Sequence, residues 1–312
     1  MIAEPNDLTS ALALVGDTFA IDELLASHPS PGDIAPYYHQ SLVLYLLLHS
    51  PAGALHFALD GDDFSAQARI IVRHLDPLRV RNVLEIASGV GYNAVRLARR
   101  LPGVHVTGLD LIPLHVRLAR LRACRLARVK FEHGDFHRLP FARHRFDGVC
   151  AVEGFCHAHH LDVALSEVAR VLRPGGRFVT VDGFLLAPPK SLAQSARTAI
   201  RLIDSAFAVS RTWTLEDLLA TADSLGLRAV AVEDLTSRVL DNVERISRMA
   251  RFCLRRRRRA RAFAHVLPRS VIRNEVAGAL LPHAIRSGAY GYHAVVLERG
   301  VEAPAPWRRD ER

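Results

Sequence analysis

Lysine is almost missing from this chain. Lys130 and Lys190 are the only two in 312 residues, and arginine supplies the rest of a basic total of 41, set against 32 acidic residues. The net charge of +9 is therefore an arginine charge. A coding bias explains it as readily as a binding role, and arginines on solvated helix faces are the simplest account. Cysteine is scarce too. Cys124, Cys150, Cys156 and Cys253 form no CxxC pair and no metal-ligand spacing, so they read as reduced thiols in a reducing compartment. No apolar run approaches the roughly 18–20 residues of a membrane span; the longest is Leu42–Leu48. Met1 to Asp7 is acidic rather than basic and does not read as a signal peptide, so a cytoplasmic location is expected. What the chain does have is apolar content, 49% of its residues. That suffices for one large α/β domain with appendages and falls short of two full domains.

Residues 7–76 carry helical spacing in Leu8–Leu25, Tyr37–His49 and Phe64–Leu75, punctuated by Pro29, Pro31, Pro36 and Pro51. From residue 80 the pattern changes. Short apolar runs at Asn82–Ala87, His105–Leu109, Val129–Glu132, Phe146–Val152 and Arg177–Asp182 alternate with helical stretches at Tyr92–Arg100, Pro113–Leu126 and Val163–Leu172. This repetition predicts an α/β fold with a parallel sheet covered on both faces, its strands ordered by right-handed crossovers. Beyond Asp182, residues 188–210 read as helical. Thr214 begins another helix with Asp217 as its capping-box partner, and Leu227–Val232 reads as a strand. Residues 239–286 read as helical and very basic, Tyr292–Leu297 as a last strand, and Pro304 to Arg312 as a disordered tail. The expected units are a helical lid (1–76), a nucleotide-binding core (77–238), a basic helical insertion capping the acceptor (239–288), a final core strand (289–300) and a tail (301–312).

The most informative segment is Val83-Leu84-Glu85-Ile86-Ala87-Ser88-Gly89-Val90-Gly91-Tyr92-Asn93-Ala94. An apolar strand runs into a glycine turn and then a helix. Glycines there let the backbone approach a ligand, with the helix N-terminus behind it. Asp110 follows at the end of the next strand, where a carboxylate can accept from both hydroxyls of a ribose. Gly89-x-Gly91-x-x-Ala94 satisfies the dinucleotide fingerprint, so the glycines alone do not separate a nicotinamide cofactor from S-adenosylmethionine (SAM). Three details favour SAM. Glu85 places a carboxylate inside the strand near the ligand's amino group. Ala87-Ser88 lengthens the turn. The third is the remainder of the motif order.

Gly134-Asp135-Phe136-His137-Arg138-Leu139-Pro140-Phe141 follows the third strand, Phe146-Asp147 opens the fourth, and Leu172-Arg173-Pro174-Gly175-Gly176 joins a helix to the fifth by a tight turn. This order resembles the class I SAM-dependent methyltransferases over roughly residues 80–184, with a weaker match in 214–235. The resemblance implies a seven-stranded, Rossmann-like, mostly parallel sheet with an antiparallel last strand. It implies cofactor contacts at Glu85, Ala87, Ser88, Gly89 and Gly91, at Asp110 and Leu111 around the ribose, at Asp135 and Phe136 around the adenine, and at Val152.

Ligands of open α/β sheets sit beyond the carboxyl ends of the strands. The fourth strand ends in Ala151-Val152-Glu153-Gly154-Phe155-Cys156-His157-Ala158, a segment similar to that of sterol side-chain methyltransferases; isoprenoid-diphosphate C-methyltransferases also carry a glutamate there. Ubiquinone- and menaquinone-type methyltransferases share the same core. In the sterol and isoprenoid enzymes an alkene attacks the methyl group and leaves a carbocation. Glu153 suits stabilisation of that cation or removal of its proton, His157 suits proton acceptance or orientation of Glu153, and Asp182 is a third catalytic candidate. The plainer readings are a Glu153 that only touches cofactor or caps a helix, a structural His157, and His159 and His160 at an exposed helix start. On the acceptor side the candidates are Tyr45, His56, Phe155 and Trp213. His56-Phe57 resembles the end of an aromatic N-terminal motif of sterol methyltransferases, but Leu48 stands where that motif is acidic and Ser50-Pro51-Ala52 replaces its Gly-Trp-Gly core. If the acceptor is a hydroxyl or amine of a quinone-type or natural-product molecule, Glu153 or His157 becomes a general base.

No metal site is expected, because Glu153, His157 and His159 lack the spacing of a hydrolytic zinc site. The segment 248–261, with Arg255–Arg259 in a row, reads as a solvated basic helix or a contact for anionic lipid. Nucleic acid is not an expected partner, since Val152-Glu153-Gly154-Phe155 is not the Asn/Asp-Pro-Pro-aromatic grip of amino-directed nucleic-acid methyltransferases. The expected partner is a small lipophilic substrate. A homodimer and a non-catalytic scaffold stay open.

Overall fold

The computed structural model describes residues 7–26, 28–50, 52–256, 258, 260–261, 266 and 268–300. The tail read as disordered, and Arg257 and Arg259 of the arginine run, lie outside the described residues.

Seven strands form one sheet: β1 (Asn82–Ile86), β2 (His105–Asp110), β3 (Val129–His133), β4 (Phe146–Val152), β5 (Leu172–Leu185), β6 (Leu227–Asp234) and β7 (Tyr290–Arg299), in the order β3-β2-β1-β4-β5-β7-β6. β1 through β5 pair in parallel, and β7 inserts antiparallel between β5 and β6. The expected mixed sheet is thus present. Its strand order reverses between β1 and β4, which creates a crevice beyond their carboxyl ends.

The central parallel strands β1 and β4 are buried on both sides because helices cover both faces. Along β1, Val83 faces one core with α4 (Ala66–Leu75), α5 (Tyr92–Arg100) and α6 (Pro113–Arg122). Leu84 and Ile86 face the other, with α7 (Leu161–Val171) and α9 (Leu215–Ser224). A third core lies where β5 and β7 run on beyond the sheet. There α1 (Leu8–Gly16), α8 (Gln194–Ala206), α10 (Thr236–Leu254) and α11 (Arg269–Arg286) pack on Val181, Leu185, Tyr292 and Ala294. The N-terminal segment adds α2 (Ile21–Leu25) and α3 (Ile34–Leu44), and α3 runs into a π-helical turn over Tyr45–His49.

Local signals explain several boundaries. Thr214 caps α9 as expected: its side chain accepts from Asp217 N–H at 2.9 Å, and the Asp217 carboxylate accepts from Thr214 N–H at 3.2 Å. The expected turn Arg173-Pro174-Gly175-Gly176 lies inside β5 as a bulge, because Leu172 already pairs with Phe146 and pairing resumes at Arg177 with Gly148. β7 exceeds its expected length at both ends, having a partner strand on each side.

Gly91 caps α5 at φ +79°, and a Cβ there would lie 2.6 Å from Phe131 Cζ and 3.0 Å from Ala119 Cβ. Gly91→Ala therefore combines left-handed strain with overpacking and should cost at least about 2 kcal/mol. A denaturant midpoint equal to that of the unsubstituted protein would refute this account.

Candidate functional site

The crevice at the strand-order reversal is a cleft of about 860 Å³. β1 delivers Glu85, buried at 2% exposure, and the chain then turns through Ala87 (φ +51°) and Gly89 (φ +53°). Asp110, at the tip of β2, staples that turn. Its Oδ2 accepts from Gly89 N–H at 2.7 Å, its Oδ1 accepts from Ile112 N–H at 2.9 Å, and His115 Nδ1 lies 3.2 Å from Oδ1. Asp135 follows β3, and its Oδ1 accepts from the backbone N–H of His137. Glu153 follows β4 with φ +45°, a conformation that costs a non-glycine residue energy and concentrates at functional sites. Gly154 allows this tip to approach the glycine turn, since a Cβ there would lie 2.4 Å from Ala87 Cβ.

Glu85, Ala87, Ser88, Gly89, Asp110, Leu111, Asp135, Phe136, Val152, Glu153 and His157 all line this one cleft. Gly91 does not; it is packed beneath the turn against β3. His159, expected at an exposed helix start, is half-buried in the cleft wall with its ring 3.8 Å from that of His137. From the N-terminal segment, Tyr38, Leu55 and His56 close the cleft from above.

A second cavity of about 660 Å³ adjoins the first. Tyr38, Leu55, His56, Glu153 and His157 line both. Glu153 thus stands at the junction. Its Oε1 accepts from Phe57 N–H at 2.8 Å and from the Tyr292 hydroxyl at 2.7 Å. Gln67 Nε2 donates to Phe57 O at 2.7 Å and to the Tyr292 hydroxyl at 3.4 Å. Asp182 also faces the second cavity, where Cys156 N–H and Gly183 N–H donate to it at 2.9 Å each. Tyr45 is there, and so are residues the sequence reading did not select: Tyr37, Phe57, Asp204, Phe207, Tyr290 and Tyr292. Besides Gly91, two selected residues are not brought to either cavity. Phe155, in the turn Phe155–His157, points back into the α7 core against Phe178, and the Trp213 indole donates to Ala158 O at 2.7 Å beside the same core.

Burial dominates the electrostatics. It pushes the Glu85 and Glu153 carboxyls up to about 8 each, Asp204 to about 7 and Asp182 to about 6. It holds the His56 and His157 imidazoles down at about 4, so both are neutral at neutral pH. His56 Nδ1 lies 2.9 Å from the Phe57 carbonyl, which can only accept. In the neutral ring Nδ1 therefore carries the proton and Nε2 a lone pair, and Nε2 is buried with no hydrogen-bond partner.

The first cleft fits SAM on its own chemistry. Glu85 Oε2, Ser88 Oγ and Asn93 Oδ1 are buried and lack partners; such groups call for a bound ligand. An ammonium group suits the Glu85 oxygen, and the polar strand tips suit a ribose and an adenine. Among the described residues no group of three His, Cys, Asp or Glu is placed to hold a metal ion.

Sheet order, turn and cleft together define a Rossmann-like methyltransferase architecture. Residues 83–176 match the family described as methyltransferase domain. Over 112 residues the chain is 38% identical to the demethylmenaquinone methyltransferase of Deinococcus radiodurans, an alignment covering 36% of this chain and 45% of that one. Over 159 residues it is 31% identical to a sterol 24-C-methyltransferase of Gibberella zeae, covering 50% of this chain and 41% of that one. The chain spans about half the length of the curated relatives it matches. The solved geranyl diphosphate C-methyltransferase from Streptomyces coelicolor A3(2) superposes with a TM-score of 0.66 over 86% of this chain and 97% of that one at 20% identity, a likeness of fold. The chain thus contains a class I SAM-dependent methyltransferase domain, as its motifs implied.

With SAM in the cleft, two carboxyls that hold protons in the free protein would face a cationic ligand. The sulfonium and ammonium charges of SAM favour ionised Glu85 and Glu153, so the free form binds more protons than the complex. Affinity should then rise between about pH 6 and 8 and binding should release protons. Calorimetry in buffers of different ionisation enthalpy measures this, and proton uptake or a pH-independent affinity contradicts it.

Proposed function

We propose that this protein transfers the methyl group of SAM to a small lipophilic acceptor held in the second cavity. The observation that carries the proposal is Glu153 at the junction of the two cavities, half-buried and fixed by donors from two distant parts of the chain. When bound, SAM supplies an electrophilic methyl on a sulfonium that departs as a neutral thioether. The protein then has to align, exclude water and manage charge. The N-terminal segment, through Tyr38, Leu55 and His56, serves as the lid that excludes water.

The lining favours an acceptor carbon that becomes positive. Carboxyls of Glu153, Asp182 and Asp204 and the rings of several tyrosines and phenylalanines surround the second cavity, and among the described residues no lysine or arginine lines it. A diphosphate finds no cationic partner there. A developing carbocation finds carboxylates and aromatic faces. In this reading an alkene carbon bonds to the methyl as the S–CH3 bond breaks, Glu153 stabilises the resulting cation, and a base takes the proton that restores the alkene. His56 Nε2 carries the lone pair for that role, and His157 lines the same two cavities; a weak base suffices for so acidic a proton. The same lone pair favours a second reading, general-base methylation of a phenol or amine. Product analysis separates them: a new C–CH3 bond supports the first, an O- or N-methyl the second.

Incubation with labelled SAM and sterols, prenyl alcohols, prenyl diphosphates, quinols and phenols tests the proposal. The diphosphates should be the poorest acceptors. Glu153→Gln should lower kcat at saturating SAM by at least about 100-fold, and Tyr292→Phe, which removes one donor to Glu153, by less. Unaltered turnover in Glu153→Gln removes Glu153 from the chemistry.

A further inference from the structure

The acceptor cavity shares a wall of four aromatic rings with a further cavity. Tyr45, His49, Phe57 and Phe207 line both, and the further cavity, of about 920 Å³, lies between α10 and α11. The four rings form a neck. Tyr45 and His49 meet edge to face at 5.5 Å between centroids, His49 and Phe57 at 6.2 Å, and Phe57 and Phe207 at 6.4 Å. Tyr45 and His49, four apart, share one side of the helix, which is a π turn there; such turns recur at functional sites. Beyond the neck Val243, Ile246, Met249 and Ala250 from α10 and Val271 and Leu281 from α11 form apolar walls, with Arg245, Asn274 and Glu275 beside them. The mouth opens beside Met249, which is 49% exposed, and Phe252 one turn further on is 60% exposed.

We infer that the acceptor is elongated: its reacting end lies at Glu153 and its apolar chain passes the Tyr45–His49–Phe57–Phe207 neck into the groove between α10 and α11. The inference rests on the methyl-transfer reading proposed above. A groove of this kind would otherwise leave apolar side chains facing water, and the four rings that it shares with the reaction cavity point to the remainder of the same molecule as its occupant. A compact acceptor would fill the second cavity alone and leave the groove without a function.

The test uses the full chain with S-adenosylhomocysteine bound and the series geraniol, farnesol and geranylgeraniol, measured by calorimetry. Affinity should rise by at least about tenfold from the shortest alcohol to the longest, as added apolar surface leaves water. Ile246→Trp, which fills the groove, should abolish that rise and leave the affinities for geraniol and S-adenosylhomocysteine unchanged. Met249→Trp, at the exposed mouth, should weaken only geranylgeraniol and serves if the buried substitution disturbs folding. Equal affinities along the series, no binding of any alcohol, or a rise that survives both substitutions overturns the elongated acceptor and leaves the methyltransferase reading standing. Failure of S-adenosylhomocysteine to bind the unsubstituted protein overturns the latter instead.

Discussion

A single carboxylate oxygen joins three parts of this chain that are distant in sequence. Glu153 Oε1, at the tip of β4, accepts from the backbone of Phe57 in the N-terminal segment and from the hydroxyl of Tyr292 in β7. Gln67 of α4 closes the network from behind. A buried, half-partnered carboxylate is costly. Burial answers that cost by holding the Glu153 carboxyl protonated up to about pH 8 in the free protein. The site is thus built around a group that is near neutral while empty and becomes charged when a cation enters. That coupling also fixes where the two cavities meet, since the strained backbone at Glu153 and the close approach of Gly154 to Ala87 set the β4 tip directly against the cofactor turn.

The cofactor half of the site was legible in the sequence because its residues obey local rules. Glu85, Gly89, Asp110 and Asp135 each follow from a strand tip and the turn after it, and strand alternation tells which side chains face outward. The same rules explain the misplacements. Gly91 carries the glycine signature for a reason of packing against Phe131 rather than of ligand contact. Phe155 lies two positions past Glu153, where the chain has already bent into a short helical turn that aims its ring back at Phe178.

The acceptor half was only partly legible. Glu153, His157, Asp182, Tyr45 and His56 could be read from their neighbours, but Tyr292 reaches Glu153 across 139 positions and meets Gln67 across 225. No spacing rule spans such distances. Asp204 looked like an ordinary helix carboxyl in α8, and only the packing of that helix turns it into the cavity. The π turn at Tyr45–His49 escaped for another reason: its apolar pattern reads as a plain continuation of α3, so periodicity gives no hint that the winding widens there.

Charge is the property that sequence and structure divide most sharply. The chain carries an excess of nine positive charges, yet among the described residues no lysine or arginine lines either cavity that meets Glu153. The arginines form ion pairs and solvated faces on the outside, as Arg73 does with Glu233 and Arg238 with Asp60. An anionic molecule is therefore drawn toward the surface and discriminated against at the site, where carboxyls and tyrosines await it. A neutral lipophilic molecule feels neither effect until its reacting end becomes positive. In the proposed reaction selectivity of this kind would arise in the transition state rather than in binding, which is where Glu153 would contribute to rate.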